Sequence, residues 1–175
     1  MHLGVERVVR LGAHDGALRG WVLAIKHRRW EAMAEHLGGA LGRQLAACGA
    51  WPPAGQGAVV VPVPMPPMRR WVRGIDHAAM LAREVARANG LRVAQPLRQR
   101  HAGSQVEAGG RAARLAHAGR FTWRERTRAA RAVQGRTVVL VDDVRTTGAT
   151  LAAAAALLRA GGAGSVVAAV VSVRE

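Results

Sequence analysis

One cysteine, Cys48, stands among the 175 residues, which excludes an intramolecular disulfide framework and a cysteine-based zinc ribbon; no zinc is expected. Tyrosine is absent and phenylalanine occurs once, so with five tryptophans the aromatics are too few for a base-stacking platform. Lys26 is the only lysine, and nearly every cation is therefore arginine. Acids are scarce: 11 Asp and Glu face 26 Lys and Arg, for a formal net charge of +15. That balance suits polyanionic ligands, either pyrophosphate compounds or nucleic acid. No apolar run reaches the roughly 20 residues that cross a bilayer. The first residues also lack the apolar core of a signal peptide, so a cytoplasmic protein with no membrane partner is expected.

What is present is a globular pattern. Half of the residues are hydrophobic, and the length supports a substantial core. A short strand is expected over Val5 to Val9. Asp15 then offers an N-cap to a helix carrying Leu18, Trp21, Val22 and Ile25 at helical spacing. A second helix holds Trp30, Met33, Ala34, Leu37, Leu41 and Leu45 on one stripe and stops by Gly49, Pro52 and Pro53. Lys26, His27, Arg28 and Arg29 sit at the joint of the two helices, as a solvated end or beside a phosphate. After a Gly/Pro-rich linker, Ala58 to Val61 reads as a buried strand that Pro62 and Pro64 bring to a close. A basic turn with Arg69, Arg70 and Arg73 follows. Asp76 caps a helix through Met80, Leu81, Val85 and Ala86 that ends at Asn89-Gly90. Residues Arg98 to Arg120 show no sustained period and read as a mobile loop or hairpin over a site. Phe121 to Arg131 suggests a short strand and a turn, and Ser165 to Val173 a last apolar strand.

The centre of the chain is VVLVDDVRTTGATL, Val138 to Leu151. Val138, Val139, Leu140 and Val141 do not alternate with polar residues, as expected of a strand buried on both faces. Asp142 and Asp143 follow directly. Thr146, Thr147, Gly148, Ala149 and Thr150 then turn into an Ala/Leu-rich helix reaching about Arg159. A strand, a tight turn and a helix leave unpaired N–H groups at the positive end of the helix, where anions bind. Gly148 permits close backbone approach and the threonines add hydroxyl donors. A phosphate cradle preceded by two acids suits a phosphorylated sugar, with carboxylates accepting hydrogen bonds from vicinal ribose hydroxyls.

This run resembles the phosphoribosyl-pyrophosphate (PRPP) motif of type I phosphoribosyltransferases: hydrophobics, two acids, two variable residues, then TTGxT. Beyond residue 12 nearly the whole chain resembles the ComF-like members of that group. The matching pieces are DGALR with Lys26 downstream, VPVP at Val61 to Pro64, R-x-x-x-R-G at Arg69, Arg73 and Gly74, Gln105 and Phe121. The chain departs where those members read RGFNQ, having Arg73-Gly74-Ile75-Asp76-His77, and where they place Asn five residues before the phenylalanine, having Ala116. The zinc-binding cysteines that many of them carry in front are missing.

The resemblance implies an α/β fold with a central, mostly parallel sheet flanked by helices. It also implies a flexible loop and a small N-terminal helical or hood segment (1–50) before the phosphoribosyltransferase-like core (58–175). It further implies displacement at the ribose C1 carbon with pyrophosphate leaving, and Mg²⁺ bound mainly through PRPP. Asp142 and Asp143 would hold the ribose hydroxyls and help place the metal. Thr146, Thr147, Gly148, Ala149 and Thr150 would bind the 5′-phosphate. Arg69, Arg70 and Arg73 are candidates for pyrophosphate, because guanidinium forks fit phosphate oxygens. Arg145 fills a variable motif position, facing either solvent or ligand. Two functional classes stay open. One is transfer of a phosphoribosyl group to a nucleobase or other nucleophile. The other is a non-catalytic PRPP-sensing or nucleic-acid-associated protein of DNA uptake that uses the basic surface. Whether the chain forms a homodimer also stays open.

Overall fold

The computed structural model describes residues 4–28, 30–49, 57–66, 75–99 and 120–174. Five strands form one parallel sheet in the order β1-β7-β6-β2-β3, namely β1 (Arg7–Ala13), β7 (Ser165–Val173), β6 (Thr137–Arg145), β2 (Ala58–Pro62) and β3 (Arg92–Val93). A separate antiparallel ribbon pairs β4 (Leu97–Gln99) with β5 (Phe121–Trp123). The helices are α1 (Gly16–Arg28), α2 (Glu31–Ala47), α3 (His77–Ala88), the single turn α4 (Arg128–Arg131) and α5 (Ala149–Ala160).

The unbroken apolar runs of β2, β6 and β7 follow from burial on both faces. Val60, Val139, Val141, Val167, Ala169 and Val171 turn toward α1, α2 and α3, where they meet Val22, Leu37, Leu41, Leu81 and Val85. Their sequence neighbours Val59, Val61, Val138, Leu140, Val166, Ala168 and Val170 turn the other way, onto Leu151, Ala154 and Leu158 of α5. Sheets covered by crossover helices on both faces take this composition. The buried side chains rest in those two layers, with β6 in the middle.

Several boundaries differ from the sequence expectation. The first strand runs over Arg7–Ala13 rather than Val5 to Val9, because its ladder partner is β7, with Arg7 opposite Val167 and Ala13 opposite Val173. Strand β6 does not end at Val141 but continues to Arg145, since β7 still supplies partners opposite Asp142, Val144 and Arg145. Helical spacing puts Trp21 and Trp30 on apolar stripes, yet they are 41% and 47% exposed, while Val22 and Ile25 are buried. Asp76 caps α3 as expected, its carboxylate accepting from the Ala79 N–H at 3.0 Å. Of the expected loop or hairpin at Arg98 to Arg120, β4 and β5 form a paired base; residues 100–119 lie outside the description.

The N-terminal helices share the main core: α2 packs along α3 at two glycines, and β1 is an edge strand of the sheet. Asn89 locks that helix pair from below, donating to Gly42 O at 3.1 Å and Val85 O at 2.8 Å. No helix among the described residues is long and apolar enough to cross a membrane.

Candidate functional site at the β2–β6 switch point

Strand β2 is followed by α3 on one face of the sheet, whereas β6 is followed by α5 on the other. The two adjacent strands therefore send their chains apart, and their C-terminal ends open a crevice. Ligands of open α/β sheets bind at such a switch point. Here the crevice is a cleft of about 390 Å³, within the usual size of a small-molecule site. From the β2 side it is lined by Val63, Pro64, Met65 and Pro66, and from the β6 side by Asp142 and Asp143. Ala78 of α3, Thr150 of α5, Gln99 and Phe121 of the ribbon, and Arg120 directly before β5 close it.

The carboxylates owe their place to the strand that carries them. Successive residues of β6 point to opposite faces, so Asp142 and Asp143 splay apart at the strand end, and both are half-buried. Asp142 is fixed locally, one carboxylate oxygen accepting the backbone N–H of Asp143 at 2.8 Å. The β2 exit is held beside them by a ladder bond from Val63 N to Val141 O, 2.8 Å.

Beyond Arg145 the chain turns through Thr146 and Thr147, both exposed, and Gly148, which is buried with φ +78°. That left-handed residue lets the strand reverse into a helix within three positions. Gly148 is the N-cap of α5 and offers no side-chain cap; the hydroxyl of Thr147 accepts weakly from Ala149 N–H at 3.4 Å. No acidic residue stands in the first turn. The helix reaches the cleft of the two acids through Thr150 in its first turn, next to its positive end. Chemically, such an arrangement can accept hydroxyl donors on one side and stabilise an anion on the other.

Of the residues expected from sequence, Asp142, Asp143 and Thr150 line one cleft, with Thr146, Thr147, Gly148 and Ala149 forming the adjoining turn. Arg145 is half-buried, and its Nε is enclosed without a hydrogen-bond partner among the described residues. Arg69, Arg70 and Arg73 lie outside the described residues, as do the side chains of Lys26, His27, Arg28 and Arg29. Sequence reasoning missed Gln99 and Arg120. Their only signal was Leu97-x-Gln99 and Phe121-x-Trp123, two short alternations too brief to declare a ribbon by themselves.

No curated protein matches the chain. Chains of known structure do match; among them is the crystal structure of TT1426 from Thermus thermophilus, 24% identical with TM-score 0.43, covering 78% of this chain and 72% of its own. The model of the phosphoribosyl transferase domain matches residues 72–174, more than half of the chain, from just before α3 to the end of β7. The acid pair of β6 and the threonine turn lie inside that span, and the chain belongs to the phosphoribosyl transferase domain family, with its type I α/β fold.

Proposed function

We propose that this protein binds PRPP together with Mg²⁺ and transfers the phosphoribosyl group to an unidentified nucleobase or other nucleophile, as a ComF-like member of its family. One observation carries the reading: an acid pair and Thr150, in the first turn of α5, line a single cleft at the β2–β6 switch point. Asp142 and Asp143 accept hydrogen bonds from the two ribose hydroxyls and so orient C1 toward the acceptor. Backbone N–H groups from Thr146 to Thr150 hold the 5′-phosphate. Arg69, Arg70 and Arg73, a few positions after the β2 exit, take the departing pyrophosphate through guanidinium forks. Displacement at C1 passes through an oxocarbenium-like state, so positioning and electrostatic stabilisation carry the rate.

Two carboxylates are hard oxygen donors that suit Mg²⁺, an ion that keeps water and phosphate ligands rather than an all-protein cage. The acid pair would therefore hold the ion together with oxygens of PRPP. When bound, Mg²⁺ supplies charge neutralisation for the leaving pyrophosphate. The test is PRPP binding with Mg²⁺, then a screen for pyrophosphate release across nucleobases. Release with at least one base is the expected result.

A second reading, a non-catalytic PRPP sensor or nucleic-acid-associated protein of DNA uptake, has one observation in its favour. Arg124, Arg126, Arg128, Arg131 and Arg136 are all exposed along one short segment, with Glu125 the single acid among them. Nucleic acid held there would show an affinity falling steeply with salt. Binding of DNA with no pyrophosphate release from any base would favour this reading.

A further inference from the structure

We infer that Arg120, which lies outside the PRPP motif, belongs to the 5′-phosphate subsite, supplying its cation and setting the hydroxyl of Thr150 as a donor. This rests on the proposed PRPP reading and adds a residue to it. From Thr146 to Leu158 the chain carries no charged side chain. The turn and first helical turns therefore offer an anion only dipoles and hydroxyls. Arg120 stands directly before β5, in a different part of the fold, and its Nη1 donates to Thr150 Oγ1 at 2.6 Å. Both residues line the cleft that holds Asp142 and Asp143. The cleft thus has an acid side, suited to hydroxyls, and a cationic side at the helix N-terminus, suited to a phosphate monoester.

The direction of that hydrogen bond matters. A guanidinium can only donate, whereas a hydroxyl has one donor and two acceptor sites. Thr150 must accept from Arg120, which leaves its own O–H free to donate. Inside a helix a threonine hydroxyl turns back to the carbonyl three or four positions earlier. Thr150 is the second residue of α5, and those carbonyls belong to the turn at Thr146 and Thr147 rather than to a helical ladder. Its hydroxyl is therefore available to an anion at the helix end, and the remaining Arg120 donors stand within reach of the same anion. A guanidinium fork onto a phosphate pairs two opposite charges, and is stronger than its single bond to the uncharged Thr150 hydroxyl.

The test measures binding of ribose 5-phosphate, PRPP with Mg²⁺, and pyrophosphate with Mg²⁺ to the full chain. Variants are Arg120→Ala, Arg120→Lys, Thr150→Val and the Arg120→Ala/Thr150→Val double. Arg120→Ala is expected to weaken ribose 5-phosphate and PRPP about 10- to 100-fold and to leave pyrophosphate unchanged. Arg120→Lys keeps charge without the fork and should lose less. The double variant should lose less than the product of the two singles, because the residues act as one unit. Unchanged ribose 5-phosphate affinity in Arg120→Ala overturns the inference, and so does an equal loss for pyrophosphate, which would mean a general charge or folding effect. Replacing Asp142 and Asp143 by Asn keeps the two levels apart. If that variant loses PRPP while Arg120→Ala does not, only the role of Arg120 fails. If it retains PRPP, the site reading itself fails.

Discussion

The six-membered ring of Trp123 in β5 rests on Gly161 at the end of α5, so close that a Cβ there would overlap it. At the other end of the same helix, Arg120, directly before β5, reaches Thr150. The ribbon is thereby tied to both ends of α5. Gly161→Ala should cost about 1–3 kcal/mol, because the ring or the helix end must shift. Denaturant unfolding followed by tryptophan fluorescence measures it. Placing Gly161→Ala in a Trp123→Leu background should recover most of the loss, a coupling that an unrelated helix-end effect would not give.

Two helical glycines should respond to alanine with opposite signs. Gly42 of α2 faces α3, where a Cβ would lie 2.8 Å from Ala88 Cβ and 3.0 Å from Asn89 Nδ2. Ala88 Cβ is anchored to its backbone and cannot swing away, so the overlap outweighs the roughly 1 kcal/mol gained in helix propensity. Gly42→Ala should destabilise by about 1–2 kcal/mol. Gly20 of α1 has open space around its Cβ direction. Gly20→Ala should instead stabilise by roughly 0.5–1 kcal/mol. Thermal melts of the two variants side by side check both signs.

The two core layers were legible in the chain because burial on both faces leaves uninterrupted runs such as Val138 to Val141 and Val59 to Val61. Asp76, Asn89 and Gly148 were readable for a similar reason: capping and left-handed turns restrict residue choice locally. Strand ends were harder. Asp142 to Arg145 look like a polar loop, yet they remain in β6 because β7 continues beside them to Val173. That partner is a tertiary fact with no local signal. Likewise β3, Arg92–Val93, is two residues long and exists only through its pairing with Val59 and Val60. Arg120 and Gln99 enter the cleft through a ribbon whose strands are far apart in the chain, a contact that short-range patterns do not reveal.

The turn at Gly148 should be intolerant of a side chain. With φ at +78°, alanine there costs about 1–2 kcal/mol or forces the turn to relax. Relaxation would re-aim the N–H groups at the start of α5, beside the cleft. Gly148→Ala is therefore expected to weaken PRPP binding by more than its loss of stability would suggest. A titration of PRPP alongside a melt separates the two effects. A loss of stability with full PRPP affinity would place the phosphate elsewhere.

Calorimetric titration of PRPP with Mg²⁺ into the native protein and into Asp142→Asn/Asp143→Asn tests the account most directly. The native chain should bind, and the double variant should lose about 2–4 kcal/mol of binding free energy, as two charge-assisted contacts to the ribose disappear. Equal affinity for the two proteins, with both correctly folded, would contradict the assignment of the sugar to the ends of β2 and β6.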